Sequence, residues 1–139
     1  MTLFEALTVA RQQIDRLDAR LLLQYATGCS HTDLLARPET PVIAPAYAQF
    51  AEWVARRAAG EPLAYLVGEA EFRGRVFQVS PAVLIPRPET EVLIDLVLSK
   101  LSGLASPRVL ELGTGSGIIA ISLALECLAA QVVTVDVSN

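Results

Sequence analysis

Apolar positions over the first 60 residues recur at spacings of three and four, interrupted at short intervals by polar and proline-rich stretches. Leu3, Leu7, Ala10 and Ile14 share one helical face, and Thr2 followed by Glu5 has the spacing of a capping box, which predicts a first helix over 3–14. Asp18 is expected to cap a second helix over "ARLLLQYAT", stopped at Gly28. Ser30 with Asp33 marks a third start, ended before Pro38. Pro45 opens a fourth helix through "AYAQFAEWVARRAA", with Arg56 and Arg57 in its last turn, read as a solvated end, and Gly60 after it. Phe50 and Trp53 fall on the inner side of that helix. Four short helices with brief connections read as a small antiparallel bundle over residues 1–60.

The period then changes. "EPLAYLVGEAEF" is too broken for a long helix, whereas "EFRGRVFQVS" places Phe72, Phe77 and Val79 around Gly74 in the manner of a β-hairpin. In "PAVLIPRPETEVLIDLVLSKLSG" the proline-bracketed Arg87 is kept out of a helix, and from Glu89 the spacing of Val92, Leu93, Leu96 and Val97 is helical to about Gly103. Next come "RVLEL", "GTGSG", "IIAISLALECLAA" and "QVVTVDVSN", which read as strand, glycine loop, helix and strand. Both strands are almost wholly apolar, as strands of a parallel sheet covered on two faces are. This divides the chain into a helical bundle (1–60), a linker with hairpin and helix (61–106) and the start of an α/β domain (107–139).

Composition narrows the class without naming a chemistry. The chain has 139 residues and is 53% hydrophobic, yet no apolar run is long enough to span a bilayer, and the N-terminus has no signal-peptide pattern, so a cytoplasmic protein is expected and no membrane partner. Cys29 and Cys127 are far apart and outside any metal-ligand spacing, so no metal site is expected. Residues 1–60 balance six arginines against six carboxylates, and the net charge of −4 arises after residue 60, with no basic stripe to grip nucleic-acid phosphates. The single histidine, His31, stands at a helix start with no nucleophile–acid pattern around it.

The chemistry lies in "VLELGTGSGIIAISLA", residues 109–124. Glycines 113, 115 and 117 let the backbone turn sharply beside a ligand, and the helix that follows offers unpaired N–H groups. Asp136, at the end of the second strand, is placed to accept ribose hydroxyls. NAD and S-adenosylmethionine fit this much equally well. Glu111 favours the second, because a carboxylate attracts a cationic aminoacyl–sulfonium group and repels a pyrophosphate. Ile118 also occupies the position where a G-x-G-x-x-G begun at Gly113 requires glycine, and no basic residue after Asp136 awaits a 2′-phosphate.

The segment "GEAEFRGRVFQVSPAVLIPRPETEVLID" (68–95), joined to "VLELGTGSGIIAISLA" and "VTVDVS", closely resembles the PrmC/HemK family of glutamine methyltransferases that modify peptide-chain release factors. "IPRPETE" at this distance before the glycine loop is the specific part, and the helical first 60 residues resemble that family's N-terminal domain. The resemblance implies a class I, Rossmann-like α/β methyltransferase fold, here truncated after its second strand, preceded by a small all-α bundle and a hairpin linker. It implies S-adenosylmethionine as cofactor, wrapped by Gly113, Thr114, Gly115, Ser116 and Gly117, held by Glu111 and bound at its ribose by Asp136. It also implies that Pro86, Arg87, Pro88, Glu89 and Thr90 lie beside the cofactor and the entrance for the acceptor glutamine. The family's catalytic Asn-Pro-Pro-Tyr is not in this sequence, so no catalytic residue is assigned and the chain is expected to be an inactive N-terminal fragment. Its partner is expected to be a release factor, docked by the bundle. An incomplete parallel sheet is further expected either to self-associate through 107–139 or to leave those residues loosely packed. The competing readings are an N6-adenine nucleic-acid methyltransferase, a docking module without activity and, least supported, an NAD-dependent oxidoreductase.

Overall fold

A computed structural model describes residues 1–137; Ser138 and Asn139, the end of the run read as the last strand, lie outside the described residues. The chain divides into two compact units at Val67–Gly68.

The first unit holds α1 (Leu3–Ala10), α2 (Arg16–Thr27), α3 (His31–Ala36), α4 (Ala44–Ala58) and α5 (Leu63–Val67). The capping box at the start of α1 is present: the Glu5 amide donates to Thr2 Oγ1 at 3.3 Å and the Thr2 amide to Glu5 Oε2 at 2.8 Å. Two further N-terminal amides of α1, Leu3 and Phe4, donate to the carbonyls of Thr40 and Pro38, so the proline-punctuated stretch supplies partners that the helix itself cannot. The helix stops earlier than its apolar pattern suggests. After Ala10 the Gln12 and Gln13 amides bond three residues back, which tightens the chain into a turn while Ile14 still packs on the core.

That early stop shifts the next boundary. α2 begins one turn before the expected Asp18 cap, and Asp15 is the N-cap, its Oδ1 accepting the Leu17 amide at 2.7 Å. Asp18 is a first-turn residue whose carboxylate accepts Arg57 Nε at 2.7 Å, so Arg57 ties α4 to α2 and is no solvated end. Arg56 is likewise paired, with Glu52 and Glu61. Gly28 ends α2 in the left-handed conformation and Ser30 with Asp33 caps α3, as their types require. The helix α5 falls in the stretch read as too broken for a long helix, and it places the division at Val67 where composition alone suggested residue 60. Leu3, Leu7, Leu22, Leu23, Leu34, Phe50, Val54 and Leu66 form the core, with Trp53 partly buried against it. Each fully buried large apolar side chain contributes about 1.5–3 kcal/mol relative to exposure.

The second unit begins with a hairpin, β1 (Glu69–Phe72) and β2 (Arg75–Gln78), antiparallel with Phe72 opposite Arg75. Its two-residue turn, Arg73–Gly74, has positive φ at both positions, the type I′ geometry that matches the twist of the strands. There follow α6 (Glu89–Leu101), β3 (Arg108–Leu112), α7 (Ile118–Glu126) and β4 (Gln131–Val135), with β3 and β4 parallel and Glu111 opposite Thr134. The last helix ends at Glu126, short of the expected Ala130, where the chain turns through a Cys127–Ala130 hydrogen bond.

The hairpin is no mere linker. Phe72 and Phe77 meet edge to face at 6.3 Å and bury with Ile94 of α6 and Ile118 and Leu123 of α7 in one core. Polar contacts outside that core fasten the same three elements. Arg73 donates to both oxygens of Glu126 and to Asp95, and Arg75 adds a third bond to Glu126. The two guanidiniums hold the Glu126 carboxyl down at about 2.

Candidate functional site

The glycine loop is shaped by its own backbone and by the end of β4. The Gly113 amide donates to the Val135 carbonyl at 2.8 Å, and the Gly117 amide to the Thr114 carbonyl at 2.8 Å, closing a tight turn between β3 and α7. Gly117 is the N-cap of α7 at φ 79°, and a Cβ there would lie 3.2 Å from Ile121 Cδ1, so both conformation and space ask for glycine. At Gly113, with φ 77°, a Cβ would meet nothing within 4 Å: the constraint there is the backbone, and the space beside it is open.

Two carboxylates flank the loop. Glu111, the fourth residue of β3, is buried, 9% exposed, and its Oε2 accepts Thr114 Oγ1 at 3.0 Å. The strand's alternation turns Glu111 to the face that packs on the helices while Leu110 and Leu112 face outward. Asp136 follows β4 directly, and its Oδ2 accepts the Gly115 amide at 2.9 Å. The loop after the first parallel strand is therefore pinned to the end of the second by a charged hydrogen bond spanning 21 residues.

The proline-bracketed segment comes to the same place. A cavity of about 160 Å³ is lined by Glu111, Gly113, Thr114, Gly115 and Ser116 on one side and by Pro86, Arg87 and Thr90 on the other. Arg87 and Glu111 are the charged residues in that lining. Pro88 and Glu89 do not reach it, because Pro88 is the N-cap of α6 and Glu89 its first residue; the Arg87 carbonyl accepts the Thr90 amide as the helix begins. Gly117 lines a second cavity of about 440 Å³ with Ala120, Ile121 and Thr134, and Asp136 lines neither cavity. Leu84, Ile85, Ile118 and Ile119 complete the walls of the first cavity. Their apolar character is visible in the sequence, but a run such as "VLIP" reads equally well as core, and nothing local distinguishes the two.

Residues 3–68 match the family model described as the PrmC N-terminal domain, over almost the whole of the first unit. Likeness to known proteins extends past those residues. The chain is 54% identical over 113 residues to the release factor glutamine methyltransferase of Burkholderia pseudomallei, covering 81% of this chain and 40% of that protein. It is 48% identical over 138 residues to the release factor glutamine methyltransferase of Bordetella pertussis, covering 99% of this chain and 51% of that protein. Among solved structures, the release-factor-specific protein-(glutamine-N5) methyltransferase of Alicyclobacillus acidocaldarius is 48% identical with a TM-score of 0.35, covering 44% of this chain and 38% of that one. The chain spans about half the length, or less, of the curated relatives it matches. Among the described residues no helix is long and apolar enough to cross a membrane.

Proposed function

We propose that this chain forms the docking and cofactor-binding part of an S-adenosylmethionine-dependent methyltransferase of class I fold, acting on a glutamine side chain of a release factor. The observation that supports this most directly is the cavity that gathers Glu111, the glycine loop and Pro86, Arg87 and Thr90 from opposite sides. The identities to release factor glutamine methyltransferases support the substrate class.

The residues fit the cofactor. A buried carboxylate beside the loop suits a ligand that carries an ammonium group at its aminoacyl end, and open space at Gly113 and Gly115 lets ligand atoms approach the backbone closely. When bound, S-adenosylmethionine supplies an electrophilic methyl group on sulfur. Glu111 would hold the positive aminoacyl end, with Thr114 Oγ1 fixing the carboxylate's orientation. Asp136 would accept the ribose hydroxyls, its position set by the Gly115 amide. Arg87 and Thr90 would shape the mouth through which the acceptor amide enters, and the first unit would dock the release factor. An amide nitrogen is a weak nucleophile, so orientation and placed acceptors carry the rate. None of residues 1–137 is assigned that part.

Calorimetric titration tests the cofactor reading. S-adenosylhomocysteine is expected to bind and NAD to give no heat, and Glu111→Gln is expected to weaken the former by about tenfold, the loss of roughly 1.4 kcal/mol of charge attraction. Heat from NAD alone, or an unchanged affinity in the Glu111→Gln chain, overturns it.

A further inference from the structure

We propose that the first unit carries a groove, bounded by Phe4 and Leu35, that takes an acidic, apolar-anchored peptide segment of a partner protein. The groove encloses about 300 Å³, at the lower end of ligand-sized pockets. Leu34, 5% exposed, belongs to the core beneath it, while Phe4 and Leu35 stand 61% and 71% exposed on the rim of one depression. They offer a partner's apolar side chains a place to bury.

Charge selects the partner. Arg11, Arg20 and His31 line the same groove, and no carboxylate does. Six of the seven carboxylates of this unit are engaged elsewhere, Glu5, Asp15 and Asp33 in helix caps, Asp18 with Arg57, and Glu52 and Glu61 with Arg56, and the seventh, Glu39, is exposed and outside the groove's lining. Arg11 has no ion pair among the described residues, and Arg20 meets only the His31 ring, its Nη1 lying 3.2 Å from Nε2. Arg20 Nε is buried with no hydrogen-bond partner. With Nε2 as acceptor His31 carries its proton on Nδ1, so the cluster presents N–H donors and leaves its positive charge uncompensated. In a chain of net charge −4, cations without counter-charges beside exposed apolar side chains complement a segment alternating Asp or Glu with Leu or Phe. The inference deepens the docking part of the reading above and rests on it only for the identity of the partner.

The test uses the full chain and a fluorescein-labelled peptide alternating glutamate with leucine and phenylalanine, with its lysine counterpart as control, read by anisotropy. The acidic peptide is expected to bind, to shift the backbone amide resonances of His31 and Leu35, and to weaken several-fold as ionic strength rises from about 0.05 to about 0.5 M. Arg11→Glu, at an exposed position, is expected to weaken it about tenfold with an unchanged circular dichroism spectrum. Leu35→Ser should weaken it through loss of the apolar contact. Equal binding of the lysine peptide, no binding of the acidic one, or an unaltered affinity in the Arg11→Glu chain overturns the groove. A release-factor arm separates the two readings. Release-factor binding that Arg11→Glu leaves intact sinks the groove and keeps docking, whereas peptide binding lost in Arg11→Glu with no release-factor binding sinks docking and keeps the groove.

Discussion

Individual residues in the second unit are constrained by conformation, by charge and in one case by neither. Gly117 combines a positive φ with a neighbour 3.2 Å from where a Cβ would stand, so Gly117→Ala is expected to destabilise the chain by about 1–2 kcal/mol, measured by denaturant unfolding. Ser122 is the opposite case. Its side chain is fully buried in α7 and its hydroxyl has no hydrogen-bond partner among the described residues, so Ser122→Ala removes an uncompensated polar group. That variant is expected to be neutral or more stable by up to about 1 kcal/mol, and a clear loss would mean that the hydroxyl is satisfied. The glycine could be read from the sequence because few residue types adopt its backbone conformation. The serine could not, because nothing in "IIAISLALE" tells which side of the helix is enclosed.

Elements begin and end where local chemistry and tertiary contacts agree, and α2 shows how the two can part. Both Asp15 and Asp18 are plausible caps by type, and the choice between them depends on the early stop of α1 and on Arg57, 39 residues away, which takes Asp18. Asp15→Ala is therefore expected to cost about 1 kcal/mol and to shorten α2 at its start, visible as faster amide exchange at Leu17. The hairpin's attachment is electrostatic at its rim. Glu126 is held at about 2 against an ordinary value of 4.5, so its contribution to stability is complete above pH 4.5 and is lost as pH falls towards 2, where the unfolded chain binds the extra proton first. With part of the pair open to solvent, Glu126→Gln is expected to cost on the order of 1 kcal/mol at neutral pH. The variant and the parent should converge in stability as pH approaches 2, and a constant gap across that window would refute the assignment. The hairpin itself was legible from "EFRGRVFQVS", but its docking on α6 and α7 was not, since Arg73 and Glu126 are 53 residues apart.

At the scale of the whole molecule, the parallel pair β3–β4 is dressed on one face only. Val109 and Val132 pack on the second core, while Leu110 and Leu112 stay exposed beside their register partners Val133 and Val135. An apolar face of paired strands invites association. Sedimentation of the chain as it stands is expected to show concentration-dependent self-association that Leu112→Lys reduces; a single monomeric species at all concentrations would count against this.

Helix spacing, capping boxes, the hairpin turn and the glycine loop are consequences of which residue types stand a few positions apart, and the sequence alone determined them. The resemblance to PrmC proteins was likewise written in contiguous residues, "IPRPETE" before "GTGSG". Only the tertiary structure decided that Pro86, Arg87 and Thr90 share a cavity with Glu111, that Asp136 reaches the Gly115 amide, and that Asp18 serves Arg57 instead of capping its own helix. Those pairings depend on the path the whole chain takes, because each joins groups whose local sequence is equally content with another partner or with water.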